Sequence, residues 1–344
     1  MLNEIRTFGL AIALGLASAG APAAEITGAG ASFPAPVYAQ WAEEYKAATG
    51  NALNYQAIGS GGGIKQIKVK TVDFGATDAP LDGKQLDRGG LVQFPAIIGG
   101  VVLVANVGAE PGALTLSGPV VAAIYKGEIK NWNDARVAAL NPGLSLPADP
   151  ITVVYRSDSS GTTAVFTEYC AATDPSFESA VGAGKTVKWP TGIGGKGNAG
   201  VAANVMKLKN SIGYVEYAYA KQNRLAHAAM INAAGNRVQP GADTFSAAAD
   251  GANWKAQPGF GISLNDQAAP QAWPITAASF ILMHAKVDDA ARATEVLRFF
   301  DWAFAKGADA ARALDYVPLP DSTIALVRDA WQAIQGPDGK PLKP

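Results

Sequence analysis

The chain has 344 residues, of which 49% are hydrophobic and 17% are charged, and its formal net charge is −1. This composition excludes a disordered chain, and the length indicates about two domains rather than one. The balanced charge disfavours a nucleic-acid partner, because proteins that bind DNA or RNA usually carry an excess of Lys and Arg.

The first 23 residues have the pattern of a secretory signal peptide. Arg6 precedes an apolar run at residues 8–17, and residues 21–23 form an Ala-Pro-Ala cleavage pattern. The alternatives are a membrane anchor or a buried N-terminal helix, but the apolar run is only about half of a membrane span. We therefore expect residues 1–23 to be a cleaved signal peptide and the mature protein to be exported.

From residue 25 onward, strand-like and helical patterns alternate along the chain. Strands show period two or runs of β-branched residues, and helices show apolar residues every three or four positions. The predicted strands lie at residues 26–31, 51–59, 72–80, 94–106, 151–156 and 275–285, and a strand that runs into a helix lies at 211–220. The predicted helices lie at residues 34–48, around Ile64 and Ile67, from Thr162 and at 293–307. This alternation is typical of an α/β fold with mostly parallel sheets.

Two of the predicted strands are long and have Gly or Pro neighbours. The first, at residues 94–106, is expected to be broken by Gly99 and Gly100, and the second lies near residues 272–285. We interpret these two strands as the places where the chain crosses between two lobes.

Four turns carry a hydroxyl or carboxyl group at the end of a strand or the start of a helix. They contain Ser32-Phe33, Ser60, Thr77-Asp78 and Ser160-Gly161-Thr162. Three of the four place a hydroxyl and unpaired backbone N–H groups at a helix N-terminus, which favours an anion. Ordinary N-capping explains any one of these turns taken alone. Arg156 ends a strand, where open α/β sheets bind ligands, so the set as a whole favours an anion site.

Asp78 is the unexpected member of this set, because a carboxylate repels an anion. It is either a turn residue or an acceptor for an anion that still carries a proton. Phosphate keeps a proton at neutral pH and sulfate keeps none, so one acceptor among many donors would select phosphate. Arg156 supplies the only positive charge of the set, and its planar guanidinium is able to bind oxygens and to pair with Asp158.

The remaining motifs supply little chemistry. Residues 179–186 approach the spelling of a P-loop, but no strand precedes them, so we reject a nucleotide site. The Gly-rich segment 192–198 could contact an anion, although a plain turn is favoured. Cys170 falls on an apolar helix face and is interpreted as a core thiol. The chain contains this one cysteine and two histidines, His227 and His284. We therefore predict neither a metal site, nor a cofactor, nor a catalytic centre.

Several long segments together closely resemble the periplasmic phosphate-binding proteins of the phosphate-specific ABC transporter. They are TGAGASFPAPVYAQWAEEY, YQAIGSGGGIKQI, TVDFGATDAPL, SSGTTAVFTEY, VKWPTGIGGKGN, IGYVEYAYAKQN and TEVLRFFDWA. The resemblance covers about residues 25–344. It implies an α/β, two-lobed class II periplasmic-binding-protein fold with a ligand cleft between the lobes. The expected lobes are residues 24–98 with 277–344, and residues 99–276.

The resemblance also implies a role for each candidate residue. Ser32, Phe33 and Ser60 would donate to phosphate from one lobe, where Asp78 would accept the phosphate proton. Arg156, braced by Asp158, would pair with phosphate from the other lobe, where Ser160, Gly161 and Thr162 would add N–H and hydroxyl donors. The chain departs from the family pattern at Ser32, where Thr is common, at Gly61, where Ser is common, and at Tyr155, where a second Arg is common.

The resemblance further implies a non-enzymatic, monomeric protein of the periplasm that delivers phosphate to an ABC permease in the inner membrane. Two functions of other classes stay open at this point. A secreted phosphatase would need a nucleophile with a base, or a metal pair. A chemosensory module would use the same site to present phosphate to a receptor. Sulfate or molybdate is the nearest alternative ligand, and Asp78 argues against it.

Overall fold

The computed structural model describes residues 24–344, so the predicted signal peptide lies outside the described residues. Eleven strands occur in the described part. They are β1 (Glu25–Gly30), β2 (Ala52–Ala57), β3 (Phe74–Thr77), β4 (Leu91–Ala105), β5 (Thr115–Ser117), β6 (Thr152–Arg156), β7 (Ile193–Gly195), β8 (Ser211–Glu216), β9 (Ala229–Ile231), β10 (Arg237–Val238) and β11 (Thr276–His284).

Thirteen α-helices alternate with these strands over the same residues. They are α1 (Ala35–Thr49), α2 (Ser60–Lys68), α3 (Gly83–Gly89), α4 (Gly118–Tyr125), α5 (Ala135–Leu140), α6 (Gly161–Thr173), α7 (Pro175–Ala180), α8 (Gly197–Lys207), α9 (Tyr217–Gln222), α10 (Ala242–Ala249), α11 (Ala290–Lys306), α12 (Ala308–Ala313) and α13 (Asp321–Ala330). Within residues 24–344, every helix is too short or too polar to cross a bilayer.

Eight strands form one sheet in the order β2-β1-β3-β11-β4-β8-β6-β7. The outer strands on each side are parallel to one another, and β4 and β11 run antiparallel to their neighbours. A small sheet of β10, β9 and β5 lies apart from it. The predicted α/β fold with parallel sheets is therefore confirmed, with two antiparallel strands at its centre.

The long strand β4 joins the two halves of the large sheet. Its residues 91–100 pair with β11, and its residues 101–105 pair with β8. This change of partner lies close to the predicted boundary between residues 98 and 99. We keep that proposed division and call residues 24–98 and 277–344 lobe I, and residues 99–276 lobe II.

The predicted break of this strand at Gly99 and Gly100 is wrong, because β4 is continuous through both residues. The two glycines instead make room for aromatic rings. A Cβ on Gly99 would lie 3.0 Å from the ring of Phe33, and one on Gly100 would collide with the ring of Phe245. Glycine here permits close packing of rings on the sheet.

The predicted apolar stripe of α1 is largely confirmed. Val37, Trp41 and Tyr45 are buried, whereas Ala48 is exposed. Gly50 ends the helix in the left-handed conformation, with φ of 82°, and its N–H donates to the carbonyl of Lys46. Ser32 and Phe33 lie between the end of β1 and the start of this helix.

Candidate anion-binding site

The predicted site residues lie at the seam between lobe I and lobe II. They follow the carboxyl ends of β1, β3 and β6 or begin α2 and α6. All eight are buried: Ser32, Phe33, Ser60, Asp78, Arg156, Ser160, Gly161 and Thr162. Residues of lobe I and lobe II contact each other across this seam, the boundary between the lobes, so the structure brings the predicted set together.

Gly161, the first residue of α6, packs directly against lobe I. A Cβ at this position would lie 2.6 Å from Oδ2 of Asp78 and would collide with the hydroxyl of Ser60. Beside it, the N–H of Gly61 donates to the carbonyl of Ser159 across the seam at 3.0 Å. The N-termini of α2 and α6 therefore meet at one point, and only a glycine fits between them.

Arg156 is held in place by its own lobe. Its Nε donates to Oδ1 of Asp158 at 2.8 Å and its Nη2 to Oδ2 at 2.5 Å, while its Nη1 donates to Oγ1 of Thr162 at 3.1 Å. The N–H of Gly197 also donates to Oδ1 of Asp158. Partial burial of Asp158 favours its neutral form, but the bonds and charge of Arg156 outweigh burial and lower the pKa of that carboxyl. Both groups are therefore charged at neutral pH.

The four hydroxyl groups of the site each accept a hydrogen bond from a protein N–H. The pairs are Ser32 with Nδ2 of Asn198 at 3.0 Å, Ser60 with the amide of Asp78 at 3.2 Å, Ser160 with the amide of Thr163 at 3.0 Å, and Thr162 with Nη1 of Arg156 at 3.1 Å. A hydroxyl has one proton and two lone pairs. Accepting these bonds leaves the proton of each hydroxyl available for a ligand.

Backbone donors surround the same point. The amide N–H groups of five buried residues of the site have no protein acceptor in the described part of the chain, those of Ser32, Phe33, Ser60, Gly161 and Thr162. Buried N–H groups without a partner are rare and need an explanation. The amide of Ser160 differs from the prediction, because it already donates to the carbonyl of Lys185 at 2.9 Å.

The capping explanation holds for one of the three helix starts. The hydroxyl of Ser160 caps α6 through the amide of Thr163. Neither α1 nor α2 has a side-chain cap, and the hydroxyls of Ser32 and Ser60 face the seam instead. Capping alone therefore does not account for Ser32 and Ser60.

Asp78 is the acceptor among these donors. Its Oδ1 accepts a bond from the hydroxyl of Ser279 at 2.9 Å, whereas its buried Oδ2 has no hydrogen-bond partner among the described residues. Burial raises the pKa of Asp78 to about 7, although the bond from Ser279 and the charge of Arg156 oppose the rise. An unpaired carboxylate oxygen in this position is poised to accept one proton-bearing group.

Two residues that contact the site were missed by sequence reasoning. Asn198 is fully buried in α8, and its Nδ2 lies 3.0 Å from Oγ of Ser32 and 3.3 Å from Oγ1 of Thr162. A plain turn is favoured for residues 192–198 from sequence alone, and the structure places Asn198 of this segment against Ser32 and Thr162. Ser279 lies inside β11, where a serine carries no signal.

The cysteine and one of the two histidines considered in the sequence analysis have structural surroundings. Cys170 is buried, and burial raises the pKa of its thiol. The Nε2 of His284 is 2.7 Å from the carbonyl of Ile67. Within residues 24–344, no group of three His, Cys, Asp or Glu residues is arranged to hold a metal ion.

Two α/β lobes with a buried polar site at their seam define a two-lobed solute-binding protein, and the PBP superfamily domain matches residues 16–306. The phosphate-binding protein PstS of Pasteurella multocida is 53% identical over 319 residues, which cover 92% of this chain and 93% of that protein. The PstS of Haemophilus influenzae is also 53% identical, covering 91% and 94%. The chain therefore belongs to the PstS family of phosphate-binding proteins.

A solved structure agrees with the fold. The chain is similar to a high-affinity periplasmic phosphate-binding protein whose structure was solved bound with phosphate, with a TM-score of 0.71 and 21% identity. The similarity covers 89% of this chain and 93% of that one.

Proposed function

We propose that this protein binds inorganic phosphate at the seam of its two lobes and delivers it to an ABC import permease. The observation that carries the proposal is a buried ring of donors with one unpaired acceptor, Oδ2 of Asp78. Helix N-termini stabilise negative charge, so this number of donors is expected for an anion and not for a neutral ligand.

The donors divide between N–H groups, hydroxyls and one guanidinium. Ser32, Phe33 and Ser60 donate from lobe I, and Arg156, Ser160, Gly161 and Thr162 donate from lobe II, with Asp158 holding Arg156 in place. A hydrogen bond to a charged group contributes roughly 1.5–3 kcal/mol. About ten such bonds support micromolar or tighter binding once dehydration of the anion and closure of the lobes are subtracted.

Asp78 selects the ligand. A phosphate oxygen that carries a proton donates it to Oδ2 of Asp78. Sulfate has no proton at neutral pH, so its oxygen would face an unpaired carboxylate oxygen in a buried place, which is strongly unfavourable. A molybdate ion is excluded for the same reason.

The remaining parts of the proposal concern the role in the cell. The mature protein acts in the periplasm as a monomer, after cleavage of the signal peptide at residues 1–23. Closure of the lobes around the ligand marks the loaded form for the permease in the inner membrane. The names of the related proteins support a binding role rather than an enzymatic one.

Calorimetric titration tests the proposal. The mature chain, residues 24–344, is stripped of phosphate and titrated with phosphate, then with sulfate, at pH 8 and moderate salt. We expect tight one-to-one binding of phosphate and no heat from sulfate. A folded, stripped chain that gives no heat with phosphate would contradict the proposal. Hydrolysis of a phosphate ester by the same sample, lost in Ser160→Ala, would favour the phosphatase instead.

A further inference from the structure

Two tyrosine hydroxyls contact the short loop that carries the lobe I amides. The hydroxyl of Tyr55, in β2, donates to the carbonyl of Ala31 at 2.6 Å. The hydroxyl of Tyr219, in α9, donates to the carbonyl of Ser32 at 2.7 Å. Neither tyrosine was singled out by the sequence, and neither is part of the donor ring described above.

The geometry of the peptide bond links each of these carbonyls to one amide of the site. All peptide bonds of the described residues are trans, and a trans peptide points its C=O and N–H in opposite directions. The carbonyl of Ala31 shares its peptide with the N–H of Ser32, and the carbonyl of Ser32 shares its peptide with the N–H of Phe33. Each tyrosine therefore holds the far end of a peptide whose N–H faces the seam.

A donor on the carbonyl also strengthens the amide. Hydrogen bonds in a chain polarise one another, and the effect is larger where the local dielectric is low. Burial raises the pKa of both Tyr55 and Tyr219 above the ordinary value, so both stay neutral O–H donors. The carbonyl of Ser32 accepts a second, longer bond from the amide of Ala35 at 3.3 Å. A second donor on this carbonyl polarises the same peptide in the same direction.

The two tyrosines differ in where they come from. Tyr55 belongs to lobe I, so its bond to Ala31 is present whatever the position of lobe II. Tyr219 belongs to lobe II, so its bond to Ser32 crosses the seam and requires the lobes to be together. A third tyrosine provides a comparison. The hydroxyl of Tyr316 lies 2.6 Å from the carbonyl of Phe33, but that peptide ends at Pro34 and has no N–H.

We propose that Tyr55 and Tyr219 are positioning residues of the anion site, each orienting and polarising one peptide whose N–H donates to the ligand. Tyr219 does so only when the lobes have closed, so closure itself strengthens the donor at Phe33. The proposal rests on phosphate being the ligand. It assigns the two tyrosines a role through the backbone, without contact to phosphate.

The test uses the mature chain with Tyr55→Phe, Tyr219→Phe or Tyr316→Phe. Tyr45→Phe is the matched control, because its buried hydroxyl bonds Glu295 away from the site. Phosphate affinity is measured by calorimetry, dissociation by stopped flow, and the amide proton shifts of Ser32 and Phe33 by NMR of the phosphate complex. We expect Tyr55→Phe and Tyr219→Phe to weaken binding roughly 5–10-fold, with Tyr219→Phe acting mainly through faster dissociation.

The amide shifts separate this role from a merely structural one. Tyr219→Phe should move the Phe33 amide proton upfield and Tyr55→Phe the Ser32 amide proton, while Tyr316→Phe and Tyr45→Phe move neither. Equal affinities in all variants, or equal shifts in all of them, would overturn the proposal while the proposed function stands. An unchanged chain that does not bind phosphate would overturn both.

Discussion

The candidate site has two walls that differ in charge. The lobe I wall consists of Ser32, Phe33, Ser60 and Asp78, and the lobe II wall consists of Arg156, Asp158, Ser160, Gly161 and Thr162. The lobe II wall carries the only positive charge, Arg156, and Asp158 neutralises it through two hydrogen bonds. The lobe I wall carries no cation and instead holds the carboxylate of Asp78. With all three groups ionised the formal charge of the site is −1 (Arg156 +1, Asp158 −1, Asp78 −1). In the proposed function, attraction therefore comes from directed donors, and selection from the carboxylate.

The walls also differ in how they are supported. Arg156, Asp158 and Thr162 bond one another inside lobe II. On the lobe I wall, the hydroxyl of Ser32 accepts its bond from Asn198, which belongs to lobe II. The lobe II wall is thus assembled on its own, whereas part of the lobe I wall takes its geometry from the opposite lobe.

The largest expected effect concerns the charge on the lobe I wall. Because the pKa of Asp78 is raised to about 7 in the fold, the folded chain holds a proton there that the unfolded chain has lost. The free energy of unfolding of the ligand-free chain therefore falls as pH rises from about 4 to about 7, by on the order of 4 kcal/mol. Asp78→Asn removes this loss, so it should raise the stability at pH 8.

Urea titrations of stripped protein at pH 4 and pH 8 measure this difference. Asp73→Asn is the comparison, because Asp73 pairs with Arg292 and its pKa is lowered despite partial burial, mainly by the bonds from Arg292. That variant should lose stability rather than gain it. An Asp78→Asn chain no more stable than the unchanged chain at pH 8 would show that burial of Asp78 carries no cost.

The next largest effect is expected from a substitution that prevents the walls from meeting. Gly161→Ala places a methyl group against Ser60 and Asp78, so either the site is overpacked or the lobes stay apart. Overpacking costs about 3 kcal/mol, which corresponds to roughly 100-fold weaker phosphate binding by calorimetry. Gly241→Ala is the control, because nothing lies within 4 Å of its Cβ. Unchanged affinity in Gly161→Ala would show that the walls do not close as described.

A smaller effect is expected from the residue that joins the walls. Asn198→Ala removes the donor shared by the hydroxyls of Ser32 and Thr162. We expect phosphate binding to weaken about tenfold, since each lost bond contributes about 1 kcal/mol. Asn204→Ala, on the same helix with its amide near the carbonyl of Gly194, should bind as the unchanged chain does. Equal affinities for both variants would remove Asn198 from the site.

The smallest effect is expected when the salt concentration is changed during phosphate binding. If attraction comes from buried donors rather than from a net positive field, phosphate affinity should change less than about twofold between 0.05 and 0.5 M sodium chloride. Calorimetry across this range gives the dependence. A tenfold loss of affinity would mean that surface charge, and not the two walls, attracts the anion.

Local patterns explain why much of the site was predictable. A hydroxyl beside a helix start and an arginine at a strand end are visible within a few residues, so the sequence alone indicates Ser32, Ser60, Arg156 and Ser160 as candidates. Long-range contacts have no such signal. Asn198 contacts Ser32 across 166 residues of sequence and Ser279 contacts Asp78 across 201.

The fold shows the same limit. Alternation of periods indicated an α/β chain with two long crossing strands, and β4 does serve both halves of the sheet. The strand continues through Gly99 and Gly100, where the rings of Phe33 and Phe245 lie against the backbone and leave little room for a side chain. From sequence alone these two glycines indicate a break in the strand, because the rings that pack against them are distant in sequence.

The most direct test of the account compares the unchanged chain with Asp78→Asn, each titrated with phosphate and with sulfate at pH 8. The account predicts that the unchanged chain binds phosphate and ignores sulfate. The Asn side chain donates as well as accepts, so the variant should bind phosphate more weakly and bind sulfate measurably. A variant that binds phosphate and still ignores sulfate would contradict the claim that Asp78 selects the protonated anion.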